Sequence, residues 1–374
     1  MSKTEHREFT VISRGPSAAI FAQGEELVVS NVPSAFGPVT ATYRTRWLQS
    51  PEGVLMPGNL WIEVRGRGSC LEDVLAPFAN AGLFALPPMS LCSNAAIANP
   101  ELEVAFESTP GAKEREYFQS YVAPELPTVW QVRRIPISLF RAVYESLTSN
   151  DEVERLFRAA EQYRVALDSW KMGLATFSIA HLWMAVEALT KVYVRIECGR
   201  RGCTNQAELA DVLKIQLKGL DSEIRKRLIF NGDSECYAAA KNASDGFEHG
   251  FLHADQIAKH AVAIRTNLAN YVRNAILNIL SLESDCRVAL LGSPYDRPRG
   301  HWPLICHLRG RLLCDGDNLA AAGQKYPFIR WSPHATDYKL DGSESQIQMN
   351  HTITPELADG VSFLPGRLEL RSYD

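Results

Sequence analysis

The feature that most constrains this chain is one nearly unbroken apolar run, LATFSIAHLWMAVEALTKVYV, at residues 174–194. A helix of that length can cross a bilayer. Three residues inside it, His181, Glu187 and Lys191, are each costly in hydrocarbon. The run therefore reads as a helix at the centre of a soluble bundle, apolar on most sides because it is covered on most sides. Its surroundings agree. Val153, Leu156, Phe157, Ala160, Tyr163, Leu167 and Trp170 recur in steps of three and four behind Asn150 or Asp151, each a plausible N-cap, and Gly173 separates that helix from the apolar run. Shorter helices are expected to start at Asn205 and Asp221. A long closing helix is expected over 254–282, with Ile257, Ala261, Ile264, Leu268, Tyr271, Ala275 and Ile279 on its inner stripe.

The flanks have a different texture. Before residue 150 the chain is punctuated by Gly and Pro, and NLWIEVRG alternates apolar and polar residues as a half-buried strand does. LEDVLAPFANAG interrupts this as a short helix. After residue 284, PLICHLRGRLL, PFIRWSP, SQIQMNHTI and GRLELRSY read as strands again. The expected fold class is α+β: a β-rich N-terminal domain (1–149), a helical bundle (150–284) and a β-rich C-terminal region (285–374). That last region either forms a separate unit or completes the N-terminal sheet.

With 46% hydrophobic and 22% charged residues, the chain is globular rather than disordered. Its net charge of −4 argues against a protein that coats nucleic acid non-specifically, and leaves room for a local basic pocket. The polar N-terminus, MSKTEHREFTVISRG, lacks the apolar segment of a secretory signal. Eight scattered cysteines form no dense framework, so a cytoplasmic location with reduced thiols is expected. Cys198 and Cys203, and Cys306 with His307 and Cys314, lack zinc-ribbon spacing and read as ordinary thiols.

Candidate chemistry lies in the helical middle. Glu187 stands in an apolar helix, where a carboxylate needs a partner. Downstream, Lys241, Asn242, Asp245, Glu248 and His249 gather around Gly246 and Gly250, in what reads as a flexible turn before the closing helix. A histidine with a cation beside a buried acid can support proton transfer near neutral pH. A plainer reading ties Glu187 to Lys241 or His249 as a buried polar link between helices. A metal bound by His249 and His253, four residues apart, is a weaker alternative, because the pattern is not H-E-x-x-H.

Residues 153–282, with AAEQYRVALDSW, the apolar run, KNASDGFEHGF and the closing helix, resemble the HEPN superfamily, and most closely its Apea-like bundles that follow a β-rich domain. The resemblance implies a small bundle that forms a homodimer, and a metal-independent ribonuclease of defence or toxin systems with RNA as its partner. On that resemblance His249 matches the family histidine, Asn242 its polar residue and Glu187 its supporting acid. Lys241 stands where an arginine is usual. Seven residues separate Lys241 from His249, more than the family's usual spacing. The implied chemistry is 2′-hydroxyl attack on the neighbouring phosphate, with His249 moving a proton and Lys241 stabilising charge.

No cofactor, metal or membrane is implied: phosphate-loop and nucleophile-elbow motifs are missing from the sequence. Arg200, Arg201, Lys214, Lys218, Arg225, Lys226 and Arg227 read first as a solvated helix face and second as phosphate contacts. The alternative function is a non-catalytic dimerising scaffold that recognises a ligand or a protein partner.

Overall fold

The computed structural model describes residues 7–50, 52–121, 132–171, 173–250, 253–300, 304–342 and 344–372. Its class is α+β. The N-terminal strands are β1 (Arg7–Gly15), β2 (Ala19–Ile20), β3 (Leu27–Val32), β4 (Val39–Gln49) and β5 (Leu55–Gly68). Helices α1 (Leu71–Gly82) and α2 (Leu86–Ser93) follow, then β6 (Glu101–Glu107), β7 (Tyr117–Gln119) and β8 (Arg133–Arg134). Five of these strands join β7 in an antiparallel sheet of order β3-β4-β5-β1-β6-β7, when β2 and β8 are set aside.

Alternation builds this sheet. Leu60, Ile62 and Val64 of β5 are buried, as are Phe9 and Val11 of β1. α1 covers them with Val74, Phe78 and Ala81. The approach is close because two strand positions are glycine. A Cβ on Gly66 would lie 2.5 Å from Val39 Cγ1 and 2.8 Å from Phe78 Cζ, and one on Gly68 would lie 2.2 Å from Val74 Cγ1.

The bundle consists of α3 (Ile137–Thr148), α4 (Val153–Asp168), α5 (Ala175–Arg201), α6 (Gln206–Val212), α7 (Leu220–Ile224), α8 (Ser234–His249), α9 (Ala254–Ile279) and α10 (Ser284–Leu291). The apolar run is the heart of α5, which packs against α4, α8 and α9. Asn205 caps α6 by accepting from Glu208 N–H. Asn150 does not cap α4; its side-chain oxygen instead accepts from Glu152 N–H just ahead of the helix. α6 is short, ending at Val212, and the stretch from Asp221 continues from α7 into a single π-helical turn, Arg225–Ile229.

Helices α1, α2 and α3 fall within 1–149, and α10 starts at residue 284 and runs on to Leu291. α3 was hidden by its neighbours. Its Phe140, Val143 and Leu147 keep helical spacing, but it starts directly after Pro136 in a stretch that reads as strand. One hydrophobic cluster runs from Phe9 of the sheet through α2 to Leu290, so sheet and bundle share a core.

Beyond the bundle stand β9 (Leu304–Leu313), β10 (Phe328–Asp341), β11 (Glu344–Glu356) and β12 (Ser362–Ser372). β10 and β11 form a long hairpin that joins the two short N-terminal strands in a sheet of order β10-β11-β8-β2, while β9 and β12 pair separately.

Three almost fully buried arginines fasten the junction between sheet and bundle. Arg273 of α9 donates to the carbonyls of Leu91 (2.8 Å), Leu290 (2.8 Å) and Tyr295 (3.1 Å). Arg133 donates to Asn94 O and Arg297 O, and Arg164 to Ile97 O and Asn99 Oδ1. Leu91 and Leu290 lie in the last turns of α2 and α10, where carbonyls lack helical partners and carry the negative end of the helix dipole. At Arg273 backbone dipoles thus take the place of a carboxylate, whereas Arg164 also pairs with Glu161 at 2.6 Å.

The stretch Leu71–Ser93 has the length and apolarity of a membrane span, but 61% of its most apolar window is buried inside the fold. It is two helices, α1 and α2, and Pro77, Pro87 and Pro88 lie within them.

Candidate functional site

Glu187 is on the outward side of α5. Its neighbours Val186 and Leu189 are buried, whereas its own side chain is 56% exposed. The expectation of a buried carboxylate is therefore corrected: the apolar run leaves one side uncovered, and Phe177 and Met184 are exposed along it as well. The nearest cation is Arg225, whose Nη2 lies 3.8 Å from Glu187 Oε1.

Arg225 belongs to the π-helical turn. Its Nε donates to Thr190 Oγ1 at 2.9 Å, and its guanidinium lies 5.2 Å from the centre of the Trp183 ring. Lys226, the next residue, holds its ammonium 5.4 Å from the Tyr237 ring. Such cation–ring contacts contribute about 0.5–2 kcal/mol. A π-turn inserts an extra residue into the helix and redirects the side chains after it. Here it aims two successive cations at aromatic rings of α5 and α8.

α8 begins at Asp233, whose side chain accepts from Cys236 N–H at 2.9 Å and from the Tyr271 hydroxyl at 2.9 Å. These bonds, the backbone one foremost, hold the Asp233 carboxyl below the usual carboxylate range. The helix runs to His249 and ends at Gly250, in the left-handed region with φ +66°. Residues 241–249 are thus helix rather than a flexible turn. Gly246 is absorbed because it faces the interior, and only Gly250 breaks the helix.

Lys241 forms an ion pair with Asp245 one turn on. Asn242 is exposed, and Ser244 donates to Glu248 at 2.8 Å. His249 is the last residue of α8, and its side chain lies outside the described residues. Eight positions along a helix amount to about 12 Å of rise and roughly 80° of rotation between Lys241 and His249. Among the described residues, no hydrogen bond or ion pair joins Glu187, Lys241 and Asn242 to one another.

Much of the remaining cationic set is engaged with acids. Arg200 and Arg201 pair with Glu197 at 3.2 and 2.9 Å, and Arg227 pairs with Glu223. His181, on the exposed side of α5, has Nδ1 2.7 Å from Gln162 Oε1, and burial lowers its pKa. Among the described residues no group of three His, Cys, Asp or Glu side chains is placed to hold a metal ion. The role of Arg225 beside Glu187 was not legible from spacing, because the π-turn shifts its direction by one residue. Its position in a cationic run was the only signal.

No family model, no curated protein and no solved structure matches this chain.

Proposed function

We propose that the chain is an RNA-directed protein built on a HEPN-like bundle, and that the last two turns of α8 are its reactive segment. The observation that supports this reading is the pairing of Lys241 with Asp245 on a partly exposed side of α8, in the same two turns that end at His249. In the proposed reaction the 2′-oxygen bonds to the adjacent phosphorus and the bond to the 5′-oxygen breaks. His249 moves the proton between these oxygens. Lys241, released from Asp245 by the incoming phosphate, offsets charge on the phosphoryl oxygens, and Asn242 positions them. Glu187 holds Arg225 in place. The reaction needs no metal, and its proposed setting is a cytoplasmic defence or toxin system.

The proposed assembly is a homodimer through α5. Phe177, His181, Met184, Ala188, Lys191 and Arg195 recur in steps of four and three, a seam about 27 Å long on the outward side of the helix. Phe247 of α8 extends it with an edge-on contact to Phe177 at 5.9 Å. Met184→Glu is expected to convert a dimer to a monomer in sedimentation velocity; an unchanged sedimentation coefficient would refute this assembly.

A second reading is favoured by one specific observation. Glu187 and Lys241 are each satisfied by a different partner, Arg225 and Asp245, as in a scaffold without a reaction centre. Incubation of RNA with purified protein in chelator separates the two. Cleavage that disappears in His249→Ala, with an unchanged melting temperature, supports the ribonuclease. Equal products from both proteins, or none from either, leaves the dimerising scaffold that recognises a partner.

A further inference from the structure

α1 covers one side of the six-stranded sheet; on the other, Arg44, Arg46, Arg65 and Arg67 are exposed and Trp61 and Glu63 half-buried, while Trp47, in register with Pro57, contacts Tyr338 of β10. Residues that alternate with the buried Leu60, Ile62 and Val64 of β5 point outward: Trp61, Glu63, Arg65 and Arg67. The register sets Arg44 of β4 and Arg14 of β1 on either side of Trp61. It also sets Phe106 and then Tyr117 in the row that begins at Arg65 and Thr10. A solvated antiparallel face ordinarily turns polar residues outward. This one carries aromatic rings among arginines.

The guanidinium groups of Arg44 and Arg46 lie 5.7 and 4.9 Å from the Trp61 ring centre. The indole N–H of Trp61 is shielded from solvent and has no acceptor. Toward one end of the sheet a cavity of about 670 Å³ opens between Phe36 and Pro38, Arg65 and Arg67, and Ser108. That volume lies within the usual range for ligand sites. Arg67 makes no hydrogen bond or ion pair with any described residue.

Acids temper this charge without cancelling it. Glu63 holds Arg65 at 2.6 Å and stands 3.9 Å from Arg44, Glu103 stands 3.6 Å from Arg14, and Glu8 faces Arg67 across the strands. Glu101 stands opposite Arg14 in register, so five arginines face four glutamates, and the excess of positive charge gathers at Arg65 and Arg67, in a chain of net charge −4.

Flat rings, guanidinium planes and an unused donor together suit a ligand with exposed bases and regularly spaced phosphates. A duplex hides its bases, whereas a single strand presents both. We propose that this outer sheet face binds single-stranded RNA. Bases stack on Phe36 and on the Trp61–arginine group, phosphates meet Arg65 and Arg67, and the Trp61 indole donates to the strand once an arginine moves aside. That the strand is RNA rests on the function proposed above; the platform itself is independent of α8.

The test is fluorescence anisotropy of the full chain with a short, labelled 2′-O-methyl single-stranded RNA, which cannot be cut by 2′-hydroxyl attack. Arg65→Glu/Arg67→Glu alters two exposed side chains and is expected to weaken binding at least about tenfold, with a shallower dependence of affinity on salt. Trp61→Phe keeps a ring, removes the donor, and should weaken binding several-fold. Circular dichroism confirms that each variant is folded. Equal binding by all proteins overturns the platform, as does wild type that fails to bind or that prefers duplex RNA. His249-dependent cleavage with unaltered binding by the sheet variants removes the platform and leaves the proposed function. Binding lost in those variants, from a wild type that cleaves nothing, keeps the platform and removes the reaction.

Discussion

Replacement of Arg273 by Met tests whether helix-end carbonyls can hold a buried cation. Arg273 is 2% exposed, and its three donated bonds end on Leu91, Leu290 and Tyr295. Burial lowers its pKa. Met fills most of the volume and removes every donor. Two buried acceptors, Leu91 O and Leu290 O, are then orphaned, at about 1–3 kcal/mol each, while Tyr295 O keeps its bond from Asn94 Nδ2. Removal of the guanidinium also relieves its desolvation, and no buried carboxylate is stranded in its place. The net loss should therefore fall in the lower part of the sum, about 2–4 kcal/mol. Arg273→Lys keeps the charge but cannot span three carbonyls, and should cost about 2 kcal/mol by the same reasoning. Urea unfolding followed by circular dichroism reads the difference. With slopes of about 1–3 kcal/mol per molar urea, the midpoint for Met should fall by at least about 0.7 M. A Met variant within about 1 kcal/mol of wild type would refute the reasoning, since an unmet carbonyl costs at least that much.

Gly300 is packed against the chain of Trp170: a Cβ there would lie 2.3 Å from the Trp170 carbonyl oxygen. Gly300→Ala must shift backbone rather than a pliable side chain, and is expected to cost about 2–3 kcal/mol in the same unfolding assay. An alanine variant as stable as wild type would show that the close approach is not required. His181 supplies a pH dependence. Its folded pKa lies below its unfolded value, so the unfolded state takes up the proton first, and stability falls as pH drops below about 6.5. His181→Gln should flatten the difference in unfolding midpoint between pH 7.5 and pH 5.5. A variant that retains the full difference would place its origin elsewhere.

The parts of the fold governed by periodicity were readable from residues alone. The apolar run is α5, and the stripes before and after it are α4 and α9, the latter stopping at Ile279. What stayed hidden depends on partners distant in sequence. An apolar run does not declare which side is uncovered, so Glu187 looked buried although α8 and α9 pack elsewhere around the helix. Two glycines suggested a turn at 241–249, yet burial of one side of α8, with Ala243, Ser244 and Gly246 inside, holds the helix to its end. Arginine is ordinarily a surface residue, so nothing local marked Arg133, Arg164 and Arg273 as interior. The outer sheet face was likewise illegible, because it requires the register of five strands. Lys241, Asn242 and His249 do share one helix, but the pairing of Lys241 with Asp245 follows from side-chain geometry that spacing does not encode.

The hydrogen bond from Arg273 to Leu91 closes a loop of 182 residues. On a ribosome that adds about 5–20 residues per second, the guanidinium emerges roughly 10–40 s after the carbonyl it must meet. The N-terminal half therefore waits, its α2 terminus uncapped and its core unfinished, until α9 is synthesised. Even then the junction is incomplete, because Leu290 and Tyr295, the other two carbonyls that Arg273 meets, lie further along the chain.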